Sequence, residues 1–127
     1  MNLDDIVEER RAYRSLDEIR VTDEQVEELA ETAKLAPSCF NNQPWRFVFV
    51  RDDDRLEEMY GVMSDTNRWT EKSSMIIAVF SKAEDDCQPP GRSYHQFDTG
   101  MGVGFLILKA TEMGLVAHPI AGYNEEK

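Results

Sequence analysis

The sequence is short of cysteine, histidine and positive charge, and each shortage excludes something. The two cysteines, Cys39 and Cys87, form no C-x-x-C pair and offer no disulfide framework, so a reducing, cytoplasmic setting is the default. His95 and His118 are the only histidines, and neither belongs to an H-x-x-x-H or Cys/His zinc spacing. With 14 Lys and Arg against 25 Asp and Glu, the net charge is -11, which repels both nucleic acid and anionic membrane. No apolar run approaches the ~20 residues of a membrane helix. The start, Met1-Asn2-Leu3-Asp4-Asp5, lacks the basic and apolar regions of a signal peptide. A soluble, cytoplasmic protein with neither nucleic acid nor membrane as partner is expected.

Several catalytic patterns are also missing. There is no G-x-S-x-G elbow to position a serine nucleophile and no G-x-x-x-x-G-K-S/T phosphate loop. Asp52, Asp53 and Asp54 lack the EF-hand pattern, and a helix N-terminus explains them without an ion. Gly100-Met101-Gly102-Val103-Gly104 has the wrong spacing for a dinucleotide fingerprint. No metal is expected.

At 127 residues the chain has the length of one domain. Leu3, Ile6 and Val7 predict a first helix running to about Ala12, capped by Asn2. Thr22 and Gln25 form a capping-box pair, and Val26, Leu29, Ala30 and Ala33 give the second helix one apolar face that ends before Pro37. Arg46–Val50 and Met75–Phe80 read as buried strands, with a helix between them that turns Leu56, Met59, Tyr60 and Met63 inward. Ser81–Gly91 reads as a mobile, peripheral loop. From Ser93 to Met113 the pattern is a long helix, apolar nearly all round, and therefore buried in a core or against a partner subunit. Gly100, Gly102 and Gly104 give up ~1 kcal/mol each in helix propensity, which makes sense if something presses closely there. Gly114 is placed to end that helix, and Leu115–Ile120 is expected to form a third short strand.

Two polar stretches carry the functional signal. Ala36-Pro37-Ser38-Cys39-Phe40-Asn41-Asn42-Gln43-Pro44-Trp45-Arg46-Phe47 packs side-chain amides and hydroxyls between two prolines. Ordinary turn chemistry accounts for such a composition, but so does a loop that holds a flat heteroaromatic ligand. Arg10, Arg11 and Arg14 form a positive cluster in a strongly acidic chain. Cations at a helix C-terminus are favourable by ~0.3–1 kcal/mol without any ligand; equally, guanidinium groups match a phosphate monoester.

Taken together, these segments resemble the nitroreductase family. The proline-bounded loop is similar to the family's signature loop, and Glu9-Arg10-Arg11-Ala12-Tyr13-Arg14-Ser15 resembles its N-terminal phosphate-binding motif. Asn67 stands where the family has a flavin-facing asparagine, and Gly114-Leu115 through Pro119-Ile120-Ala121-Gly122-Tyr123 resembles its late G-L-x-x-x-P-I-x-G segment. The four motifs occur in the family's order and span nearly the whole chain.

The resemblance implies an α+β fold, a small and mainly antiparallel sheet flanked by helices. It further implies a homodimer with two FMN sites and the long apolar helix at the subunit interface. Arg10, Arg11, Ala12 and Arg14 would hold the FMN phosphate. Pro37, Ser38, Cys39 and Asn41 would line the ring from the partner subunit. Asn67 would read the pyrimidine edge, and Pro119, Ile120, Ala121 and Gly122 would approach the ring. Ala12 departs from the family's usual serine. Trp69 fits either a lid or a packing aromatic, and the sequence leaves open whether Trp69 or Tyr94 gates the site. The implied activity is hydride transfer from NADH or NADPH through FMN to a nitroaromatic or quinone-type small-molecule acceptor, in a ping-pong cycle with no side chain as general acid or base. Two alternatives are a reductive dehalogenase or flavin-fragmenting relative, and a flavin-binding or dimerising protein without turnover. Family members normally continue with a further helix and strand, so a single domain lacking the usual C-terminal section is expected.

Overall fold

The computed structural model describes residues 1–127, which form an α+β fold. Helix α1 spans Leu3–Glu9, α2 spans Asp23–Lys34, and strand β1 spans Arg46–Val50. Helix α3 then covers Asp53–Tyr60, β2 covers Ile76–Phe80, and α4 runs from His95 to Glu112. Short 3₁₀ turns occupy Cys39–Asn41, Asp65–Lys72 and Ala83–Asp85.

The helix ends follow from their capping chemistry. The Thr22 hydroxyl accepts the Gln25 N–H at 3.2 Å while the Gln25 side chain accepts the Thr22 N–H at 2.9 Å, which is the reciprocal pairing the sequence announces. Asn2 and Asp5 make the same pair at the start of α1. That helix stops at Glu9, earlier than expected, because Arg10 turns to φ -59°, ψ 120°. Gly114 ends α4 with φ +77°. The Gly114 N–H donates to the Thr111 carbonyl at 3.0 Å and the Leu115 N–H to the Ala110 carbonyl at 2.8 Å, the two bonds of a Schellman motif.

Strands β1 and β2 pair antiparallel, with Arg46 opposite Phe80 and Val50 opposite Ile76, and they make up the whole sheet. Leu115–Ile120 does not form the expected third strand; it passes without a ladder partner, and the nearby pairing is one isolated bridge between Met63 and Tyr123. Met63 correspondingly lies beyond α3 rather than on its inward face. A two-stranded sheet covers little surface, so β1 and β2 are not buried throughout: Val48, Val79 and Phe80 are exposed.

The core lies between α2 and α4, where Leu29 and Ala33 meet Leu106 and Ala110, with Phe47, Phe49, Ile77 and Met113 packed around them. Lys109 reinforces this contact by bridging Glu28 of α2 and Glu112 of its own helix. Helix α4 is not buried all round. Asp98, Thr99, Gly102, Leu106 and Ala110 face inward, whereas Phe97 is 67% exposed. Of its three glycines, Gly102 has a packing reason within the chain: a Cβ there would stand 3.1 Å from the Trp45 ring, while at Gly100 and Gly104 it would meet nothing within 4 Å.

Candidate functional site

The sequence motifs gather into two clusters. In the first, a line of contacts runs from the arginine segment to Gly122. The Nδ1 of His118 donates to the Tyr13 carbonyl at 3.3 Å, and its ring stacks on Trp69 with centroids 4.5 Å apart. The Trp69 indole N–H donates to the Asn67 side-chain oxygen at 3.2 Å, and the Asn67 amide nitrogen donates to the Gly122 carbonyl at 3.0 Å. The Ser64 N–H donates to the same carbonyl at 3.0 Å. Asn67 sits at a kink in the 65–72 turn, with φ -111° and ψ 23°, so its side chain leaves the run of its neighbours. A Cβ at position 122 would fall 2.7 Å from Ser64 Oγ and 2.8 Å from Asn67 Nδ2, so any larger residue there would have to displace those two side chains.

Arg10, Arg11 and Arg14 flank this line on an extended segment after α1, with Ala12 and Arg14 fully on the surface. Arg11 donates to the Arg10 carbonyl at 2.7 Å, whereas Arg10 and Arg14 take part in none of the seven salt bridges of the chain. Two guanidinium groups without carboxylate partners in a chain of net charge -11 are available to an anion. Pro119 and Ala121 are exposed and Ile120 is half-buried beside them.

The second cluster is the proline-bounded loop. Phe40, Asn41 and Gln43 have φ of 50°, 54° and 48°, the left-handed region that non-glycine residues occupy at a cost of ~1–3 kcal/mol each when surrounding structure holds them there. Several contacts do so. Ser38 Oγ accepts the Gln43 N–H at 2.9 Å, Gln43 Nε2 donates to the Lys34 carbonyl at 3.1 Å, and Asp98 accepts the Cys39 N–H at 2.9 Å. Pro44 and Trp45 are buried. Phe40 is left 92% exposed at the tip, and Asn41, Pro37 and the Phe40 ring face outward.

One feature overturns a sequence expectation. Cys39 and Cys87 are joined as a disulfide, so both sulfurs are spent on each other and the loop at 81–94 is not peripheral: it is tied to the motif loop. Asp86, next to Cys87, is 7% exposed and Asp98 is 3% exposed. Burial, and then the hydrogen bond shared with Asp86, push the Asp98 carboxyl above the usual carboxylate range. For Asp86 burial acts the same way, but hydrogen bonds from Asp98, the Cys87 N–H and the Asn42 amide outweigh it and hold the carboxyl below that range. Asp86 Oδ2 is buried without a hydrogen-bond partner. Sequence spacing could not show this pair, because the two cysteines are 48 positions apart.

No hydrogen bond or ion pair within the chain connects the loop at 37–43 to the Arg10–Asn67–Gly122 cluster. Within one chain the candidate residues therefore fall into two clusters.

The nitroreductase family model matches residues 7–72, a span that includes the arginine segment, the proline-bounded loop and Asn67. An Archaeoglobus fulgidus relative, whose name couples NADH dehydrogenase with NAD(P)H nitroreductase, is 30% identical over 89 residues, covering 70% of this chain and 47% of its own length. The chain thus spans about half the length of that relative. Among solved structures, a nitroreductase family protein from Clostridium novyi NT superposes with a TM-score of 0.89 at 20% identity, over 99% of this chain and 73% of that one. A nitroreductase-type protein from Desulfovibrio desulfuricans in complex with FMN gives 0.73 at 28% identity, over 87% of this chain and 63% of that one. By its motifs, its fold and the family match over residues 7–72, the chain belongs to the nitroreductase family.

Proposed function

We propose that this chain pairs as a homodimer to form FMN sites and acts as an NAD(P)H-dependent flavin oxidoreductase. The observation that carries the reading is the pair of unpartnered guanidinium groups at Arg10 and Arg14, linked through Tyr13, His118 and Trp69 to the Asn67–Gly122 contact.

The residues present fit FMN. Arg10, Arg11 and Arg14 supply charge-assisted donors for the phosphate monoester, and Ala12 leaves that segment one hydroxyl poorer than the family's usual serine. The Asn67 amide is held in one orientation by Trp69 and Gly122, which leaves a second lone pair on its oxygen to accept from the pyrimidine edge of the ring. Pro119, Ile120, Ala121 and Gly122 would approach the ring from the segment that holds the Asn67 contact. Pro37, Ser38, Cys39 and Asn41 would come from the second copy, consistent with the absence of hydrogen bonds between the two clusters within one chain. The exposed Phe97 and the uncovered Gly100 and Gly104 on α4 give that copy an apolar, closely approachable face.

When bound, FMN would supply the redox chemistry, the relay of electrons from NADH or NADPH to a nitroaromatic or quinone-type acceptor in alternating half-reactions. The protein's own part is to bind, orient and exclude water, and no side chain is needed to move a proton to the substrate. Anaerobic addition of NADH, and separately NADPH, to FMN-loaded protein tests this. Bleaching of the oxidised-flavin band, reversed by a nitroaromatic or quinone, is expected. Bound flavin that neither donor bleaches would favour the second reading, a flavin-binding protein without turnover.

A further inference from the structure

We propose that Cys39 and Cys87, with the Asp86–Asp98 carboxyl pair beside them, form a reversible dithiol–disulfide site that takes a small dithiol as reductant and sets the conformation of the loop at 37–43. Four observations converge on it. The disulfide joins the motif loop to the 81–94 segment. The Asp86 carboxylate lies within 4.8 Å of both sulfurs. Both acids hold the backbone of the cysteines directly, Asp98 through the Cys39 N–H at 2.9 Å and Asp86 through the Cys87 N–H at 2.8 Å. Cys39 and Cys87 are half-buried residues rather than enclosed ones, which leaves a small reagent a way in.

The chemistry balances without a further reactant. One thiolate of the dithiol attacks a cysteine sulfur, the Cys39–Cys87 bond breaks as a mixed disulfide forms, and the departing sulfur takes a proton. The second thiol of the reagent then displaces the remaining cysteine and closes a cyclic disulfide. Two electrons and two protons pass from the dithiol to the pair. The Asp86 carboxylate lies beside both sulfurs, and its negative charge disfavours thiolate over thiol once the bond is open. His95, whose Nδ1 lies 2.7 Å from Ser81 Oγ, is the α4 side chain that bears on Asp86.

The consequence lies in the loop. Phe40, Asn41 and Gln43 are held at positive φ, and the bond to Cys87 is one of the restraints that keep them there. Opening it releases the segment around the exposed Phe40.

The test uses the wild-type full chain and is independent of flavin. Maleimide tagging with mass readout is done on the folded protein, as purified in air and after equilibration in buffers of varied dithiothreitol to oxidised dithiothreitol ratio, with far-UV circular dichroism as the folding control. The same samples are digested briefly with chymotrypsin. The expected result is no tagged cysteine in the oxidised protein, a single two-electron transition to two tagged cysteines without denaturant, and at least ~10-fold faster cleavage after Phe40 in the reduced form. The Cys39→Ser/Cys87→Ser variant is then cut at the fast rate in either buffer. Tagging of the air-oxidised protein would overturn the site. So would a disulfide that opens only in urea, or a cleavage rate indifferent to the redox buffer.

Discussion

The His118 ring stacks on Trp69 with centroids 4.5 Å apart and an interplanar angle of 43°. Each partner is also pinned at its polar end, His118 to the Tyr13 carbonyl and Trp69 to the Asn67 oxygen. The stack therefore fixes the late segment against both the arginine segment and the 65–72 turn. Aromatic pairs contribute ~0.5–1.5 kcal/mol beyond area burial, and one hydrogen bond adds about 1 kcal/mol. His118→Ala is expected to lower the unfolding free energy by about 1–2 kcal/mol in urea titrations. Trp69→Phe keeps a ring and costs less. Equal losses from both would mean the stack is not what joins the segments.

The guanidinium pair gives a prediction specific to phosphate. Hydrogen bonds to charged groups contribute ~1.5–3 kcal/mol, so Arg10→Ala combined with Arg14→Ala should weaken FMN binding by at least ~10-fold. Riboflavin lacks the phosphate, and its affinity should hardly change. Parallel fluorescence titrations with the two flavins make the comparison, and an equal loss for both would assign the arginines to the fold rather than the ligand.

At the buried acid pair the two carboxyls act in opposite directions with pH. Asp98 is raised, so its contribution to stability is full below the ordinary carboxylate range and is lost as pH climbs through its raised value. Asp86 is lowered, so its contribution is present above that range and is lost as pH falls through its depressed value. Asp98→Asn imitates the protonated acid, keeping an acceptor for the Cys39 N–H and a donor for Asp86. It should flatten the loss of stability on the alkaline side. Asp98→Ala leaves the Cys39 N–H without a partner and should cost about 1–3 kcal/mol. Thermal melts across a pH series separate the two variants.

The three glycines of α4 distinguish packing within the chain from packing against a second copy. Gly102→Ala places a Cβ 3.1 Å from the buried Trp45 ring and should destabilise the chain. Gly100→Ala and Gly104→Ala meet nothing within the chain and should gain up to ~1 kcal/mol each in helix propensity. If α4 carries the dimer contact, the same two changes weaken association in sedimentation velocity. Unchanged association would place the contact elsewhere.

Local chemistry made much of the fold legible in the sequence. The Thr22–Gln25 box, the Gly114 stop and the Arg46–Val50 strand depend on neighbours a few residues away, and each is where the pattern puts it. What failed to show depends on distance. A strand at Leu115–Ile120 needs a partner to pair with, and composition cannot say whether one is present. The Cys39–Cys87 bond needs two Cα atoms brought to 6.1 Å, which spacing along the chain does not reveal. The apolar pattern of α4 predicted burial, yet Phe97 is exposed, because hydropathy cannot distinguish a face covered by its own chain from one left for another. In the candidate site, the motifs point to Asn67 and Gly122 separately. Their contact, and the part His118 and Trp69 play in making it, came from the fold.

The central claim is that these residues make an FMN site, and titration of the purified chain with FMN tests it most directly. Saturable quenching of flavin fluorescence at one FMN per chain, accompanied by a shift in the oxidised-flavin absorption band, is the predicted result. An FMN spectrum and emission identical to the free cofactor at excess protein would contradict it.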